Sequence, residues 1–403
     1  MTNNTELKRV VKLPYLVLYG LGTILGAGIY ILISKVALYA NIYTPLSFLV
    51  AGIIVAFTVF VYAELSGRFP KSAGEAAYVS HAFNNKAIIF IVGMLITITG
   101  VVSSATIVSG FTGYLNVFLD ITPEIAEVVL IIILGFIAFW GISESVKIAS
   151  LMTIIEIVGL LIVIGVSLDD LSFSVIKKEA IDLNLTIWSG IFAGAFLAFY
   201  AFIGFEDMVN IAEEVVEPEK NMPKGIIIVL IVSLIFYMLV AIVAVFAMPM
   251  DKLLASTAPF SDIVENNSQV PVAVITFISL FAVVNGALIQ IIMSSRLLYG
   301  MSKQNVLPKF LSSIHPVTRV PHNATAVVAF IILLLTLLFE LESLARLTSY
   351  VVILVFITMS VTLIIVKVRE RSKSIQYQGF TIPIAIPIIG LVLLIGFLVT
   401  QLI

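Results

Sequence analysis

Residues 22–30 read GTILGAGIY and lie within the first long apolar run of the chain. Their three glycines and one alanine weaken a helix here, and an unpaired backbone N–H or C=O group in hydrocarbon costs several kcal/mol. Non-helical backbone at membrane depth therefore has to be buried in protein or to line a polar cavity. Because glycine also lets a ligand approach the main chain closely, this stretch predicts a binding site. Close helix packing is the alternative, since Gly22 and Gly26 form a GxxxG pair.

The composition is that of a polytopic membrane protein. Charged residues make up 11% of the 403 residues, against roughly 25% in soluble domains, and apolar residues reach 61%. Runs of about 20 apolar residues, long enough to cross a hydrocarbon core of roughly 30 Å, recur along the chain. We predict an all-α protein in which residues 1–403 form a single transmembrane domain. Its eleven spans are predicted near 14–34, 45–65, 88–118, 126–142, 148–168, 186–211, 225–247, 271–298, 323–339, 344–366 and 381–401.

The basic residues indicate how these spans are oriented. With the amino terminus in the cytoplasm, 17 of the 22 lysines and arginines fall on the inner side, as the positive-inside rule requires. The five on the outer side are Lys35, Lys177, Lys178, Lys252 and Arg346. We therefore expect a multi-pass protein of the cytoplasmic membrane with its amino terminus inside. After an odd number of spans, its carboxyl terminus is expected outside.

A second interruption lies in the sixth span, where residues 196–210 read FLAFYAFIGFEDMVN. Gly204 is followed there by Glu206 and Asp207. An ionisable group near the bilayer centre costs roughly 2.5–3.5 kcal/mol on insertion scales and usually faces a cavity or the bundle interior. The alternative is that the span ends near Gly204, which would leave both acids at the membrane interface.

The two interruptions occupy matching places in two halves of the chain. Gly26 and Gly204 are five spans apart, and the first five spans start inside whereas the next five start outside. Interrupted helices at corresponding positions of two halves point to an inverted-repeat transporter with a site at the bilayer midplane. We predict repeat 1 at about 12–170, repeat 2 at about 184–370 and an extra helix at about 380–402.

The breaks offer complementary backbone groups. A half-helix that begins at the turn 26–28 presents free N–H groups and the positive end of its dipole, which suits a carboxylate. Carbonyl groups released at Ala201, Phe202 and Ile203 can accept hydrogen bonds from an ammonium group. Together they predict a site for a zwitterion whose side chain points toward the rings of Tyr200, Phe202 and Phe205, although aromatic residues in spans also serve in packing.

Four motifs, in order along the chain, resemble those of one transporter family. GTILGAGIY is similar to the span 1 signature of the amino acid-polyamine-organocation superfamily. YAELSGRFPKSAGEAAYV from Tyr62 resembles the family's loop between spans 2 and 3, and AFIGFEDMVNIAEEVVEPEKNMPKGI from Ala201 resembles its span 6 to 7 region. SRLLYGMSKQNVLPKFLSSIHPVTRVP from Ser295 resembles its span 8 to 9 loop. The resemblance covers both predicted repeats.

The resemblance implies a leucine-transporter-like five-plus-five fold with discontinuous helices 1 and 6. It places the substrate carboxylate on the amides around Ala27 and Gly28, and the amine on the carbonyls of Ile24 and Phe202. It also assigns Tyr200 to the position of an outer gate and Glu206 to the acid that helps couple binding to closure in relatives. The candidate binding residues are Ile24, Gly26, Ala27, Gly28, Ile29, Tyr200, Phe202, Ile203, Gly204 and Phe205.

In span 5 the chain departs from the family pattern. Glu156 stands where the family pattern carries a lysine that is implicated in proton coupling in some members. A buried carboxyl can still take up and release a proton, so Glu156 is a candidate coupling residue. It can equally be a neutral carboxylic acid that hydrogen-bonds within the bundle, or it can lie at the lipid interface.

Other polar residues are open to two interpretations. Glu64 and Glu75 flank a loop with Arg68 and Lys71, where an ion pair can close a gate or simply hold the structure together. Asn285 and the pair Ser103 and Ser104 can face a cavity or bond to neighbouring helices.

These features favour a secondary active transporter that imports amino acids by alternating access, with the proton as coupling ion. An amino acid exchanger and a transporter of cationic amino acids or polyamines remain alternatives, and a channel is a more remote one. The chain has no cysteine and no phosphate-binding loop of the GxxxxGK(S/T) type, and its three histidines fall in predicted loops. We therefore expect no enzyme, no cofactor and no metal site, and the lipid bilayer but no nucleic acid as partner. The span count leaves the oligomeric state open.

Overall fold

A computed structural model describes residues 9–71, 74–83, 85–140, 145–168, 171, 184–267, 270–303, 306–315, 320–373 and 377–400. Within these ranges it gives no account of the side chains of Ala27, Trp140, 145–149, 266 and 267. Lys177, Lys178 and the predicted boundary between the repeats lie outside the described residues.

The described part of the chain is built from helices, which are numbered here in chain order. They are α1 (Leu13–Leu25), α2 (Ala27–Ala40), α3 (Thr44–Arg68), α4 (Gly74–Phe83), α5 (Lys86–Leu115), α6 (Pro123–Trp140), α7 (Ser145–Ser167), α8 (Leu185–Ala201), α9 (Pro218–Phe246), α10 (Met250–Ala255), α11 (Pro259–Asn267), α12 (Val272–Lys303), α13 (His322–Leu338), α14 (Leu341–Lys373) and α15 (Ala385–Val399). Short 3₁₀ helices cover Asn41–Tyr43, Phe205–Glu214 and Lys309–Ser312.

Each predicted span overlaps a helix. Seven apolar helical runs in the described residues are long enough to cross a membrane, and one of them, Leu13–Arg68, contains both the first and the second predicted spans. The shorter apolar helices α13 and α15 correspond to the ninth and eleventh spans. Large apolar side chains such as Phe136, Phe330 and Val392 point outward and are mostly exposed, which suits contact with lipid. The predicted all-α polytopic class is confirmed.

Both predicted interruptions are present. α1 ends at Leu25, Gly26 has φ −56° and ψ −97°, and α2 begins at the next residue. In span 6, α8 ends at Ala201. Gly204 has φ 130°, a backbone conformation that residues other than glycine rarely adopt. Beyond Gly204 the chain continues to Glu214, not as the α-helix that the sequence favours but as a 3₁₀ helix.

The two broken spans lie at the centre of the bundle. α1 packs against α7 and α9, α2 packs against α8, and α5 packs along α12. The chain segment before α1 also pairs with the segment after the 3₁₀ helix: the N–H groups of Val10 and Val11 donate to Glu214 O at 2.8 and 2.9 Å, and Val216 N–H donates to Val11 O at 2.9 Å. The breaks are therefore held side by side within the protein.

A buried group of ions joins the ends of α3 and α14. The Glu64 side chain, 0% exposed, accepts hydrogen bonds from Arg68 Nε (2.8 Å) and Nη2 (2.6 Å), from Lys367 Nζ (2.7 Å) and from the backbone N–H of Ile382 (2.8 Å). Arg68 also pairs with Glu370. We call Glu64, Arg68, Lys367 and Glu370 the Glu64 ion cluster. In the sequence, Glu64 and Glu75 flank a loop with Arg68 and Lys71. Of these four residues, Glu64 and Arg68 belong to the Glu64 ion cluster.

Glu75 has a different partner. It lies in α4, the short helix between α3 and α5, and its Oε1 accepts a hydrogen bond from the Tyr62 hydroxyl at 3.1 Å. Its side chain is buried, and this burial raises the pKa of the Glu75 carboxyl to about 7.

Candidate functional site

A small cavity lies where the two broken spans meet. Its walls come from α1 and α2, from α8 and the turn that follows it, and from α5 and α12. Its volume of about 20 Å³ is room for about one water, so the site is nearly closed in this conformation. The lining residues are Thr23, Ile24, Gly28, Ser103, Ile107, Tyr200, Ala201, Ile203, Gly286, Ile289 and Gln290.

The N-terminus of α2 forms one side of this cavity. The first N–H groups of an α-helix have no partner within the helix, and here they belong to Ala27, Gly28 and Ile29. Gly28 borders the cavity, and a Cβ atom at this position would lie 2.5 Å from the Cα atom of Ala201. Gly28 is therefore required for close contact with α8 as well as for access to the backbone, whereas Gly22 packs against Thr153 of α7.

Side chains tie the two breaks together. The Tyr237 hydroxyl of α9 lies 2.6 Å from Ile24 O and 2.6 Å from Ala201 O. A hydroxyl has one proton to donate, so the two carbonyls share it. Thr23 Oγ1 adds a second link, since it lies 2.8 Å from Gly20 O and 3.0 Å from Gly204 O. Two of the carbonyl groups predicted to receive an amine, those of Ile24 and Ala201, are thus held in place by Tyr237 of α9.

The aromatic residues of span 6 divide into two groups. Tyr200 lines the cavity, and its hydroxyl lies 3.1 Å from both Oγ and the backbone O of Ser103. Phe202 packs its ring against Tyr237 with 4.9 Å between centroids. Phe205 packs against the rings of Tyr62 and Phe356. In this structure Phe202 and Phe205 are fully buried and do not line the cavity.

The remaining predicted residues of the two breaks have distinct places. Ile24 and Ile203 line the cavity, whereas Ile29 is fully buried in the core beside it. Gly26 and Gly204 form the breaks themselves, and a Cβ atom at Gly204 would lie 2.7 Å from Thr23 O. The side chain of Ala27 lies outside the described residues.

The two acids after Gly204 are buried and have separate partners. Glu206 Oε2 accepts a hydrogen bond from the Gly204 N–H at 2.8 Å, which stabilises the turn between α8 and the 3₁₀ helix. Asp207 Oδ2 accepts a hydrogen bond from Gln290 Nε2 of α12 at 2.9 Å. Their side chains are only 6% and 7% exposed, so both acids lie inside the packed bundle.

Glu156 is fully buried on α7, facing α12. Its Oε1 accepts a hydrogen bond from Asn285 Nδ2 at 3.3 Å, while its Oε2 has no hydrogen-bond partner in the described part of the chain. The neighbouring residue of Asn285, Gly286, lines the cavity. Glu156 therefore lies behind the cavity wall with one oxygen available to a proton.

The whole chain was also compared with known proteins. A sequence model of the amino acid permease family matches residues 15–403. The chain belongs to this family. The resemblance to the amino acid-polyamine-organocation superfamily is thereby confirmed, and the permease is a multi-pass membrane protein.

Relatives of the permease transport several kinds of substrate. It is 28% identical over 385 residues to the vacuolar cationic amino acid transporter 2 of Arabidopsis thaliana, an alignment that covers 90% of this chain and 60% of the relative. It is 27% identical over 404 residues to a branched-chain amino acid permease of Bacillus subtilis, covering 94% and 85% of the two chains. A methylthioribose transporter of B. subtilis is 24% identical over 413 residues, covering 96% and 87%.

These relatives are transporters and permeases, which confirms that the permease is not an enzyme. The permease spans about 60% of the length of its Arabidopsis relative. The substrates of that protein therefore do not by themselves identify the substrate of the permease.

Three polar residues of the site, and the cavity-lining Ile107, Gly286 and Ile289, were missed from the sequence. Tyr237 lies in an apolar run with no motif around it, and Thr23 is inconspicuous within GTILGAGIY. Gln290 did leave a signal, because it is a polar amide within the long apolar run of α12. Polar groups in spans are usually bonded, and only the structure identifies Asp207 as its partner.

Proposed function

We propose that this permease is a secondary active transporter that imports amino acids across the cytoplasmic membrane by alternating access, with the proton as coupling ion. The observation that carries the proposal is the cavity at which the two broken spans meet. The N-terminus of α2 lies on one side of it and the carboxyl end of α8 on the other. An amino acid needs both polarities, because its carboxylate seeks N–H donors and its ammonium group seeks carbonyl acceptors.

The proposed binding mode assigns each backbone group a role. The carboxylate binds to the N–H groups of Ala27, Gly28 and Ile29, where the helix dipole adds about 0.3–1 kcal/mol of favourable interaction. The ammonium group binds to the carbonyl of Ile24, which lines the cavity, and to that of Phe202 once the site opens, since Phe202 does not line the cavity in this conformation. A carbonyl oxygen has two lone pairs, so Ile24 O can accept from Tyr237 and from substrate together.

The proposed transport cycle uses two halves of opposite topology. Repeat 1 covers about 12–170 and repeat 2 about 184–370, while the helix near 380–402 stands outside the pair. Supporting this are the breaks at Gly26 and Gly204, which fall five spans apart. In this scheme the amino terminus is cytoplasmic, the carboxyl terminus is extracellular, and Tyr200 covers the site from outside.

Glu156 is the proposed proton carrier, with Glu206 helping to couple binding to closure. Glu156 is buried, close behind the cavity wall, and has one carboxyl oxygen without a partner in the described residues. A proton on this oxygen removes a buried charge, so protonation and closure of the site are expected to favour each other.

The test is uptake into liposomes that contain the purified permease. Glu156→Gln keeps the shape of the side chain but cannot exchange a proton. We expect it to abolish uptake driven by a pH gradient and to retain counterflow of labelled amino acid. The matched control is Glu127→Gln on α6, another buried glutamate remote from the breaks, which is expected to retain both activities.

The alternatives give different results in the same liposomes. Full pH-driven uptake by Glu156→Gln would refute the proton role. Uptake that requires a preloaded counter-substrate and ignores the pH gradient would identify an exchanger. Single-channel currents would show that the protein is a channel and not a transporter.

A further inference from the structure

The cavity walls combine apolar side chains with neutral polar ones and carry no net charge. Four isoleucines line it, one each from α1 (Ile24), α5 (Ile107), the turn after α8 (Ile203) and α12 (Ile289). No charged side chain is among the lining residues in the described part of the protein. The four polar side chains that line it are neutral, and all of them bond within the protein: Thr23 to backbone carbonyls, Tyr200 with Ser103, and Gln290 to Asp207.

One buried acid, Asp207, is hydrogen-bonded directly to a side chain that lines this cavity. Asp207 does not line the cavity, but its Oδ2 is 2.9 Å from Nε2 of Gln290, which does. Gln290 therefore stands between Asp207 and the cavity. The other two buried acids nearby do not bond to a cavity-lining side chain. Glu206 accepts from the Gly204 N–H, and Glu156 accepts from Asn285 at Oε1, while its Oε2 has no partner in the described residues.

We propose that the permease takes neutral aliphatic amino acids, and that Gln290 sets this selectivity by covering Asp207 with a neutral amide. The proposal rests on the transport function above, because it names the substrate class of the same site. The relatives include a cationic amino acid transporter and a branched-chain amino acid permease, and the proposal distinguishes between these two substrate classes.

The physical basis is the environment that each side chain would meet. An aliphatic side chain is stabilised in proportion to the apolar surface that the isoleucines remove from water. A lysine or arginine side chain would lose its hydration in a cavity that offers no opposite charge, and that loss is large. Removing the Gln290 amide changes this situation, because Asp207 loses its donor and is left facing the cavity.

The experiment measures binding of leucine and lysine to the full chain in nanodiscs by titration calorimetry. Wild type is expected to bind leucine at least about tenfold more tightly than lysine, since an unpaired charge is excluded from an apolar site. Gln290→Ala is expected to raise lysine affinity relative to leucine by at least about tenfold, because Asp207 becomes available to pair with the cation. Gln290→Ser replaces it if the alanine variant is not folded.

Two further variants separate charge from space. Ile289→Ala also enlarges the cavity from α12 but leaves the contact between Gln290 and Asp207 intact, so it is expected to give no gain in lysine affinity relative to leucine. The double variant Gln290→Ala with Asp207→Asn enlarges the cavity without a carboxylate and is expected to lose the gain.

Each result decides the proposal. A wild type that prefers lysine, a Gln290→Ala variant without a gain, or an equal gain in Ile289→Ala or in the double variant would overturn it. None of these results affects amino acid transport itself. If wild type binds neither leucine nor lysine and shows no counterflow with any amino acid, the proposed function fails instead.

Discussion

Glu64→Gln is expected to destabilise the protein strongly, although the substitution is nearly isosteric. The Glu64 carboxylate is 0% exposed and accepts hydrogen bonds from two nitrogens of Arg68, from Lys367 and from the Ile382 N–H. Removing one partner of a buried ion pair typically costs 3–5 kcal/mol, because the other charge stays buried without compensation.

The contacts that remain set the magnitude within that range. Arg68 keeps its pair with Glu370, and Lys367 keeps a hydrogen bond to Ile382 O at 2.7 Å and is 13% exposed. We therefore expect a loss near the lower limit, about 3 kcal/mol in the free energy of unfolding.

The assay is denaturant unfolding of the purified protein in detergent micelles, followed by helical circular dichroism. Glu217→Gln is the matched control, because Glu217 pairs with Lys220 at 3.5 Å with both side chains more than 60% exposed. Exposed pairs contribute about 0–1 kcal/mol, so this variant is expected to unfold almost as wild type does. Equal midpoints for Glu64→Gln and Glu217→Gln would show that the Glu64 ion cluster does not stabilise the bundle.

Three further predictions concern the site and its surroundings. Gly28→Leu is expected to abolish substrate binding, because its Cβ alone would lie 2.5 Å from the Cα atom of Ala201, and unchanged affinity in the calorimeter would contradict this. Tyr237→Phe is expected to lose about 1–3 kcal/mol of stability, since it leaves the carbonyls of Ile24 and Ala201 without their shared donor, and a melting temperature equal to wild type would count against it. The raised pKa of Glu75 makes the native state bind a proton more tightly than the unfolded chain does. The free energy of unfolding is therefore expected to decrease as the pH rises from about 4.5 to about 7. Glu75→Gln is expected to flatten this pH dependence in unfolding curves.

The sequence was sufficient to predict the two breaks. Gly26 and Gly204 weaken a helix where they stand, and acids such as those after Gly204 are rare in apolar runs, so each has a known energetic consequence in a bilayer. The positions of the spans followed from length and hydropathy alone. These features are local, and so they could be recognised without any knowledge of how the helices pack.

The facing of side chains could not be predicted in the same way. Successive residues of a helix differ by about 100° in direction, and the turn after Ala201 changes the phase again. This is why Tyr200 and Ile203 line the cavity while Phe202 and Phe205 pack elsewhere.

Pairings between distant parts of the chain were also out of reach. Asp207 and Gln290 are 83 residues apart, and Glu64 and Ile382 are 318 apart. From the sequence, Glu64 could be grouped only with the nearby Arg68 and Lys71. Neither motif nor periodicity indicates which helix ends meet, because this depends on the packing of the whole bundle.

The short backbone pairing between residues 10–11 and 214–216 has a mechanical consequence. It connects the start of α1 to the end of the 3₁₀ helix by three main-chain hydrogen bonds. Near the other end of α1, Thr23 holds Gly204 O at the start of the same 3₁₀ helix. α1 and the 3₁₀ helix are thus linked by hydrogen bonds near both ends of α1. If α1 tilts away from its neighbours, residues 205–216 must move with it as a rigid body, or the hydrogen bonds at both ends must break.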